Sequence, residues 1–246
     1  MIYRILDFFA NAYLWFGRRL SQIYINSWSQ GKLGVTWFDH RFDHLRGPSY
    51  WYWYERGILA NRLVPEDGEV LDLACGDGIF AGLFFTTRAR QVIAVDRDIK
   101  SIRFARARYS SRNIKFVKAD IREYLPSRKK FDVIILFQAI EHLSVKDGSL
   151  LLHNIAASLK NDGVLFGSTP ILQIKGVSNP EHDNEFESVD LLKSFLEIHF
   201  NSVITWISHW PGRVECYFEC RTPKKITDKV LRIKTDKYGE RLKIIL

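Results

Sequence analysis

A chain of 246 residues, 46% apolar and 26% charged, can bury a full core, which excludes a disordered polymer and leaves one globular domain with an elaborated end. Its formal net charge of +8 is uneven, because residues 97–130 hold 12 Lys/Arg against 3 Asp/Glu and residues 221–246 hold 9 against 3. Three cysteines (Cys75, Cys216 and Cys220) with no CxxC pair argue against a disulfide framework or a thiolate metal site, and fit a reducing, cytoplasmic setting.

The first element in chain order is an amphipathic helix. Ile2, Ile5, Leu6, Phe9, Tyr13, Phe16 and Leu20 recur at helical spacing, with Arg4, Asp7, Asn11, Arg18 and Gln22 on the opposite face. Its longest uncharged run, Phe8 to Gly17, is about half of what a bilayer span requires, and the segment has no small-residue cleavage site of the signal-peptide kind. Phe8 and Trp15 border the polar face. Two placements follow, one packed under the rest of the protein and one lying in a membrane interface; packing is the expected one, and membrane association stays open beside a cytoplasmic location.

Residues 23–64 alternate glycines and Pro48 with aromatic clusters such as Tyr50-Trp51-Tyr52-Trp53-Tyr54, and 16 of the chain's aromatics fall within residues 1–54. Helices and turns covering the sheet's carboxyl edge suit this stretch, as a lid over a substrate or as an extension of the core. His40 and His44 fall on one helical face at a spacing that could chelate a metal, but no third ligand accompanies them. Arg41 and Arg46 are candidate contacts for an anionic acceptor.

From residue 66 short β-type runs alternate with helical stretches, the pattern of a sheet wound with helices. The strands read as Glu69–Ala74, Gln91–Asp96, Ile114–Lys118, Phe131–Phe137 and Val164–Thr169. The helices read as Ile79–Arg88, Ile99–Ser110 and Ser149–Leu159, the last with Asn161-Asp162-Gly163 as its glycine stop. Ser188 and Asp190 begin a further helix to about His199. Val203–Trp210 and Glu215–Arg221 then flank Pro211-Gly212 as an antiparallel hairpin. The domain reading is a helical extension at 1–64, a ligand-binding domain at 65–222 and a basic tail at 223–246.

Val70-Leu71-Asp72-Leu73-Ala74-Cys75-Gly76-Asp77-Gly78 carries the chemistry. Gly76 and Gly78, after an apolar strand and before a helix, make the sharp turn that lets backbone approach a nucleotide-type ligand at a helix amino terminus. Asp96 ends the next strand where an acid binds ribose hydroxyls, and Asp120 closes the third. Taken together, these residues resemble the class I S-adenosylmethionine-dependent methyltransferases over about residues 66–221, with Ala74 standing where their Asp-x-Gly-x-Gly-x-Gly motif has its first glycine. The resemblance implies a seven-stranded Rossmann-like α/β sheet of order 3-2-1-4-5-7-6 with strand 7 antiparallel and helices on both faces. It also implies a site. Asp72 would orient the methionine amino group, and Ala74, Cys75, Gly76 and Gly78 would line methionine and ribose. Asp96 would hold the ribose hydroxyls, Arg97 would flank the adenine, and Asp120 with Ile121 would meet its amino group and face. Phe137 and Gln138 would end the fourth strand against cofactor and substrate. NAD is the rival ligand, opposed by the Asp-Leu-Ala-Cys-Gly lead-in, the position of Asp120 and the terminal hairpin.

Glu141-His142 after the fourth strand is frequent in the small-molecule and quinone O-methyltransferase branches of that family, and in its ubiquinone-pathway O-methyltransferases and small-RNA 2′-O-methyltransferases a Glu-x-x-Glu-His motif with a distant acid or His holds a divalent ion. Gln138 replaces the first Glu here. Glu141, His142 and His182 could still hold a divalent metal, or His142 or His182 could act alone as general base; alternatively Glu141 and His142 only cap the following helix and tether the lid. Asn179-Pro180-Glu181-His182 with Phe186 is similar to an acceptor-covering loop of the same branches. The expected activity is methyl transfer from S-adenosylmethionine, yielding S-adenosylhomocysteine, to a hydroxyl of a small-molecule, sugar or lipid-linked acceptor. An RNA 2′-hydroxyl is the alternative, supported by the basic stretches and the partial metal motif although no RNP or GXXG signature is present, and a non-catalytic cofactor-binding partner subunit is the second. Peripheral membrane contact through the first helix is the remaining partner expectation.

Overall fold

The computed structural model describes residues 2–29, 39–124, 131–171, 182–211, 213–224, 234–235 and 242–243. Helix α1 spans Ile2–Ser29 and α2 Tyr52–Leu63, with a 3-10 turn over His40–Arg46 between them. Then come β1 (Glu69–Leu73), β2 (Gln91–Asp96), α3 (Ile99–Arg108), β3 (Ile114–Lys118) and β4 (Phe131–Phe137). The chain continues with α4 (Val145–Ser158), β5 (Leu159–Thr169), α5 (Val189–Glu197), β6 (Phe200–Trp210) and β7 (Arg213–Pro223). Two short strands, β8 (Lys234–Thr235) and β9 (Leu242–Lys243), pair antiparallel within the basic tail, whose other residues from 225 onward lie outside the described ones.

Seven strands form one sheet of order β3-β2-β1-β4-β5-β7-β6, parallel except for β7, which runs antiparallel to both of its neighbours. This is the topology expected from the resemblance. The central strands read as unbroken apolar runs because helices cover both faces and leave no solvated side. Val133, Ile134, Ile135 and Leu136 of β4 are all fully buried. Alternate side chains feed two core clusters: Leu71, Ile134 and Leu136 on one face with α4 and α5, Val70, Val133 and Ile135 on the other with Val64 and Phe85. Parallel pairing brings the carboxyl ends of β1, β2 and β4 to one edge, where Leu73 lies in register with Val95 and Leu136.

Several local expectations are corrected. The stretch after the glycine turn is not a regular α-helix over 79–88 but a π-helical turn, Phe80–Phe84, followed by a 3-10 turn, Phe85–Thr87. The wide turn brings residues five apart onto one face, so Phe80 and Phe85 are both buried. Helix α4 begins earlier than read, capped by Ser144, whose Oγ accepts from Asp147 N at 3.1 Å. It stops at Ser158, and Asn161-Asp162-Gly163 belong to β5 instead of ending the helix. Gly163 is needed there for close approach, since a Cβ would stand 2.8 Å from the Phe131 carbonyl oxygen. The terminal hairpin extends beyond both predicted strands, from Phe200 to Pro223.

The first helix is the largest departure. Only Ser21 and Ile25 of its described side chains are buried, and the predicted apolar face is exposed along its length. Packing under the rest of the protein, the expected placement, is therefore not what the fold does. No helix among the described residues is long and apolar enough to cross a membrane.

Candidate active site

The glycine turn sits at the carboxyl end of β1. Three of its residues take left-handed backbone: Ala74 (φ 58°), Gly76 (φ 54°) and Gly78 (φ 78°). Glycine is obligatory at 78, because a Cβ there would lie 2.7 Å from the Phe116 ring and 2.8 Å from the Ala105 Cβ. Asp96 organises the turn from the neighbouring strand end. Its Oδ2 accepts from Gly76 N at 2.9 Å and its Oδ1 from Asp98 N at 2.8 Å, so one carboxylate fixes both loops of the crevice. Asp77 accepts from Ile79 N (3.1 Å) and from His40 N (3.1 Å), which ties the 3-10 turn at His40–Arg46 onto the glycine loop.

Asp72 is buried at the end of β1 with its Oδ2 unbonded. Burial, then the nearby carboxylates of Asp96 and Asp77, push its pKa well above the ordinary range. A carboxylate with an orphaned, dehydrated oxygen is the natural partner of a ligand ammonium, which would supply the missing donor and charge. The residues present thus fit the amino-acid end of S-adenosylmethionine. Cys75 is likewise buried, and burial with the Asp72 charge raises its thiol, so it lines the turn as a neutral group. Asp120 is chelated by its neighbour: Arg122 donates from N (2.9 Å) and Nε (3.0 Å) to Oδ1 and from Nη2 (2.6 Å) to Oδ2. Ile121 packs partly buried against the core, and Arg97 is exposed. The Phe137 ring packs against Phe80 (centroids 5.1 Å) and Phe166 (5.6 Å), so that side chain belongs to the core.

The end of β4 carries the second group. Gln138 turns the chain with φ 46°, and a 3-10 turn over Ile140–His142 follows. Glu141 is fully buried, accepting at Oε2 from the Thr169 hydroxyl (3.0 Å) while Oε1 makes no hydrogen bond. Burial pushes its carboxyl up to about 7. Its backbone carbonyl accepts from Asn184 N at 3.0 Å and thereby holds the loop that carries His182. The His142 and His182 rings meet edge to face with centroids 4.7 Å apart, and His182 Nδ1 pairs with Glu185. One ligating atom from each of Glu141, His142 and His182 lies within 4.8 Å of the others. The three residues nominated from sequence are therefore brought together; Asn179–Glu181 of the same loop lie outside the described residues.

His40 and His44 are not brought together. The 3-10 geometry has fewer residues per turn than an α-helix, so residues four apart no longer share a face. His40 Nδ1 pairs with Asp43 (2.8 Å) and its ring stacks on Trp53, while His44 Nδ1 pairs with Tyr54 (3.1 Å). Arg41 is turned onto Asp39, with Nη2 2.7 Å from Oδ2, and the Arg46 side chain is outside the described ones.

A buried ionic cluster beside Gln138 went unread in the sequence. Arg56 of α2 has no exposed surface; its Nε donates to Glu215 Oε1 at 3.0 Å, its Nη2 stands 2.6 Å from the same oxygen, and Nη1 is unbonded. Gln138 Nε2 donates to Glu215 Oε1 (3.0 Å), Arg213 Nε to Glu215 Oε2 (3.0 Å), and Arg213 Nη2 to Gln138 Oε1 (2.6 Å). Burial pushes the Glu215 carboxyl up, but the Arg56 and Arg213 charges outweigh it and hold the group below its ordinary range. Arg56 also lies over the Trp53 ring at 4.3 Å and Arg213 over Tyr52 at 4.7 Å. No short motif could have shown this, because its members are separated by up to 159 residues.

Residues 70–163 match the family model described as methyltransferase domain. A probable S-adenosylmethionine-dependent methyltransferase of Mycobacterium tuberculosis is 32% identical over 160 residues, 62% of this chain and 57% of that one. A ubiquinone biosynthesis O-methyltransferase of Actinobacillus pleuropneumoniae is 30% identical over 149 residues, 56% of this chain and 61% of the other. The chain thus spans somewhat over half the length of these curated relatives. Among solved structures, a Burkholderia thailandensis 1,6-didemethyltoxoflavin-N1-methyltransferase with bound 1,6-didemethyltoxoflavin and S-adenosylhomocysteine aligns with TM-score 0.61, at 19% identity over 83% of this chain and 88% of that one. The Bradyrhizobium japonicum N-methyltransferase NodS with S-adenosylhomocysteine aligns with TM-score 0.60, at 15% identity over 81% of this chain and 100% of that one. Likeness at these identities is a likeness of fold.

Proposed function

We propose, from the premise that the chain belongs to the class I S-adenosylmethionine-dependent methyltransferases, that it transfers a methyl group to a hydroxyl oxygen of a small-molecule, sugar or lipid-linked acceptor. The observation that carries this reading is one sheet edge with two chemistries: the orphaned carboxylate of Asp72 at the end of β1, and the Glu141-His142-His182 group beyond the end of β4. S-adenosylmethionine supplies a methyl carbon already activated by the sulfonium charge. The protein's task is therefore alignment and removal of one proton. Asp72 holds the ammonium, Asp96 and the glycine turn hold the ribose, and His142 or His182 accepts the hydroxyl proton as the carbon–oxygen bond forms and the carbon–sulfur bond breaks.

A divalent ion is compatible with the donor set, which combines two imidazoles and a buried carboxylate oxygen in need of a partner. It would lower the pKa of a bound hydroxyl, and Glu141, His142 and His182 would hold it. The relatives include O-methyltransferases and the solved structures of similar fold include N-methyltransferases, so the oxygen acceptor rests on the paired histidines. A small acceptor is favoured over RNA by the fate of the basic stretch. Arg108 pairs with Asp39 and Arg122 with Asp120, which neutralises two of the twelve cations of that stretch that a phosphate backbone would meet.

The test is calorimetric titration of the EDTA-treated protein with S-adenosylhomocysteine, beside Asp72→Asn and Asp96→Ala. Micromolar-range binding that weakens at least about tenfold in each variant is expected, since each removes a charge-assisted contact. Absence of binding to the unaltered protein would overturn the cofactor assignment. Turnover that survives both His142→Ala and His182→Ala would overturn the base assignment.

A further inference from the structure

We propose that α1 is an in-plane anchor that lays its apolar face into the interface of an anionic membrane. Twelve large apolar side chains between Ile2 and Ile23 are exposed, among them Ile2 (73%), Phe9 (64%), Tyr13 (77%) and Phe16 (56%). Water is a poor solvent for such a face, and an exposed apolar surface of this extent on an ordered element marks a surface that something covers. Among the described residues the helix is held near its end. Tyr24 donates to Asp39 Oδ2 at 2.9 Å, and Ser21 and Ile25 are buried, while residues 2–16 are exposed throughout. At 1.5 Å per residue, about four turns stand clear of the folded domain.

The chemistry of the two faces identifies the occupant. On a helical projection Asp7, Asn11, Arg4, Arg18 and Gln22 occupy a narrow polar arc, bordered by Phe8 and Trp15, and nearly all the rest is apolar. Arg4, Arg18 and Arg19 against the single Asp7 give the described helix a net charge of +2, the sign that complements anionic headgroups. Arg19 lies over the Trp15 ring at 5.7 Å, at the edge where an aromatic and a snorkelling cation suit the headgroup boundary. Pairing with a second copy is the competing geometry, because Ile2, Leu6, Phe9, Tyr13, Phe16 and Leu20 follow a 4-3-4-3-4 seam. That seam would leave exposed Tyr3, Ile5, Phe8, Leu14 and Trp15 in water, and its flanks offer no acid–base pairs to set register. A bilayer interface covers them together.

The proposal is independent of methyl transfer. It is tested by flotation of the full chain with phosphatidylcholine vesicles, with and without phosphatidylglycerol, alongside sedimentation velocity in the absence of lipid. The expected result is flotation that strengthens with phosphatidylglycerol, weakens in high salt, and falls at least about tenfold in Phe9→Glu/Phe16→Glu. Each of Arg4→Gln, Arg18→Gln and Arg19→Gln should weaken it by about fivefold on anionic vesicles, the equivalent of roughly 1 kcal/mol per basic residue. Unchanged circular dichroism and thermal unfolding of the glutamate variant would show that its domain remains folded. A chain that fails to float on any vesicle overturns the proposal, as does a stable dimer that Phe9→Glu/Phe16→Glu dissociates while flotation is unaffected.

Discussion

Arg56→Met removes one of the two cations of the buried cluster while keeping most of the side-chain volume, so its cost reads the ion pair. Glu215 keeps Arg213 at 3.0 Å and Gln138 at 3.0 Å, which softens the loss, yet one fully buried carboxylate would face one cation instead of two. Breaking such a pair costs about 3–5 kcal/mol; the surviving contacts place Arg56→Met near the lower end, at roughly 3 kcal/mol. Glu215→Gln should cost a similar amount, because it strands two guanidinium groups, one of them without exposed surface. The double variant should lose about as much as the worse single one, giving a coupling energy of about 3 kcal/mol between side chains in direct contact. Urea unfolding followed by tryptophan fluorescence at pH 7 measures all four species, with equal m-values confirming a common denatured state. Strictly additive losses, each below about 1 kcal/mol, would refute the reasoning, since that is the behaviour of solvent-exposed pairs.

Gly78→Ala should destabilise by roughly 2–5 kcal/mol, combining a left-handed backbone penalty with overpacking against Phe116 and Ala105, and S-adenosylhomocysteine binding should weaken with it; an unchanged urea midpoint would contradict the tight turn. His199 is buried with Nε2 3.0 Å from the Ser149 hydroxyl and Nδ1 unbonded, and burial, His153 and Lys224 push it down to about 4. The unfolded chain takes up this proton near the ordinary value of 6.5 and the native one only near 4, so the stabilisation is complete above pH 6.5 and is lost as pH falls through that window, by roughly 3 kcal/mol. His199→Gln should flatten that limb of the stability profile, and parallel profiles for the two proteins would refute the assignment.

The sequence by itself determined the strands, the sheet order by way of the family resemblance, and the residues of the glycine turn, because each rests on local spacing. An apolar run bounded by turn residues, two glycines after a strand, and acids at successive strand ends are all written within a few positions of one another. Glu141-His142 was legible for the same reason, and His182 through its loop motif. What only the tertiary structure decided was every relation across long separations. The burial of Arg56 against Glu215, the meeting of His142 with His182, and the tie from His40 to Asp77 each join distant elements. The π-helical turn at Phe80–Phe84 and the early start of β5 depended on neighbours that periodicity does not see. The first helix shows the division most sharply. Its spacing specified an apolar face, but whether that face packs inward depends on a partner surface, and the fold spends its core on the sheet and leaves residues 2–16 exposed.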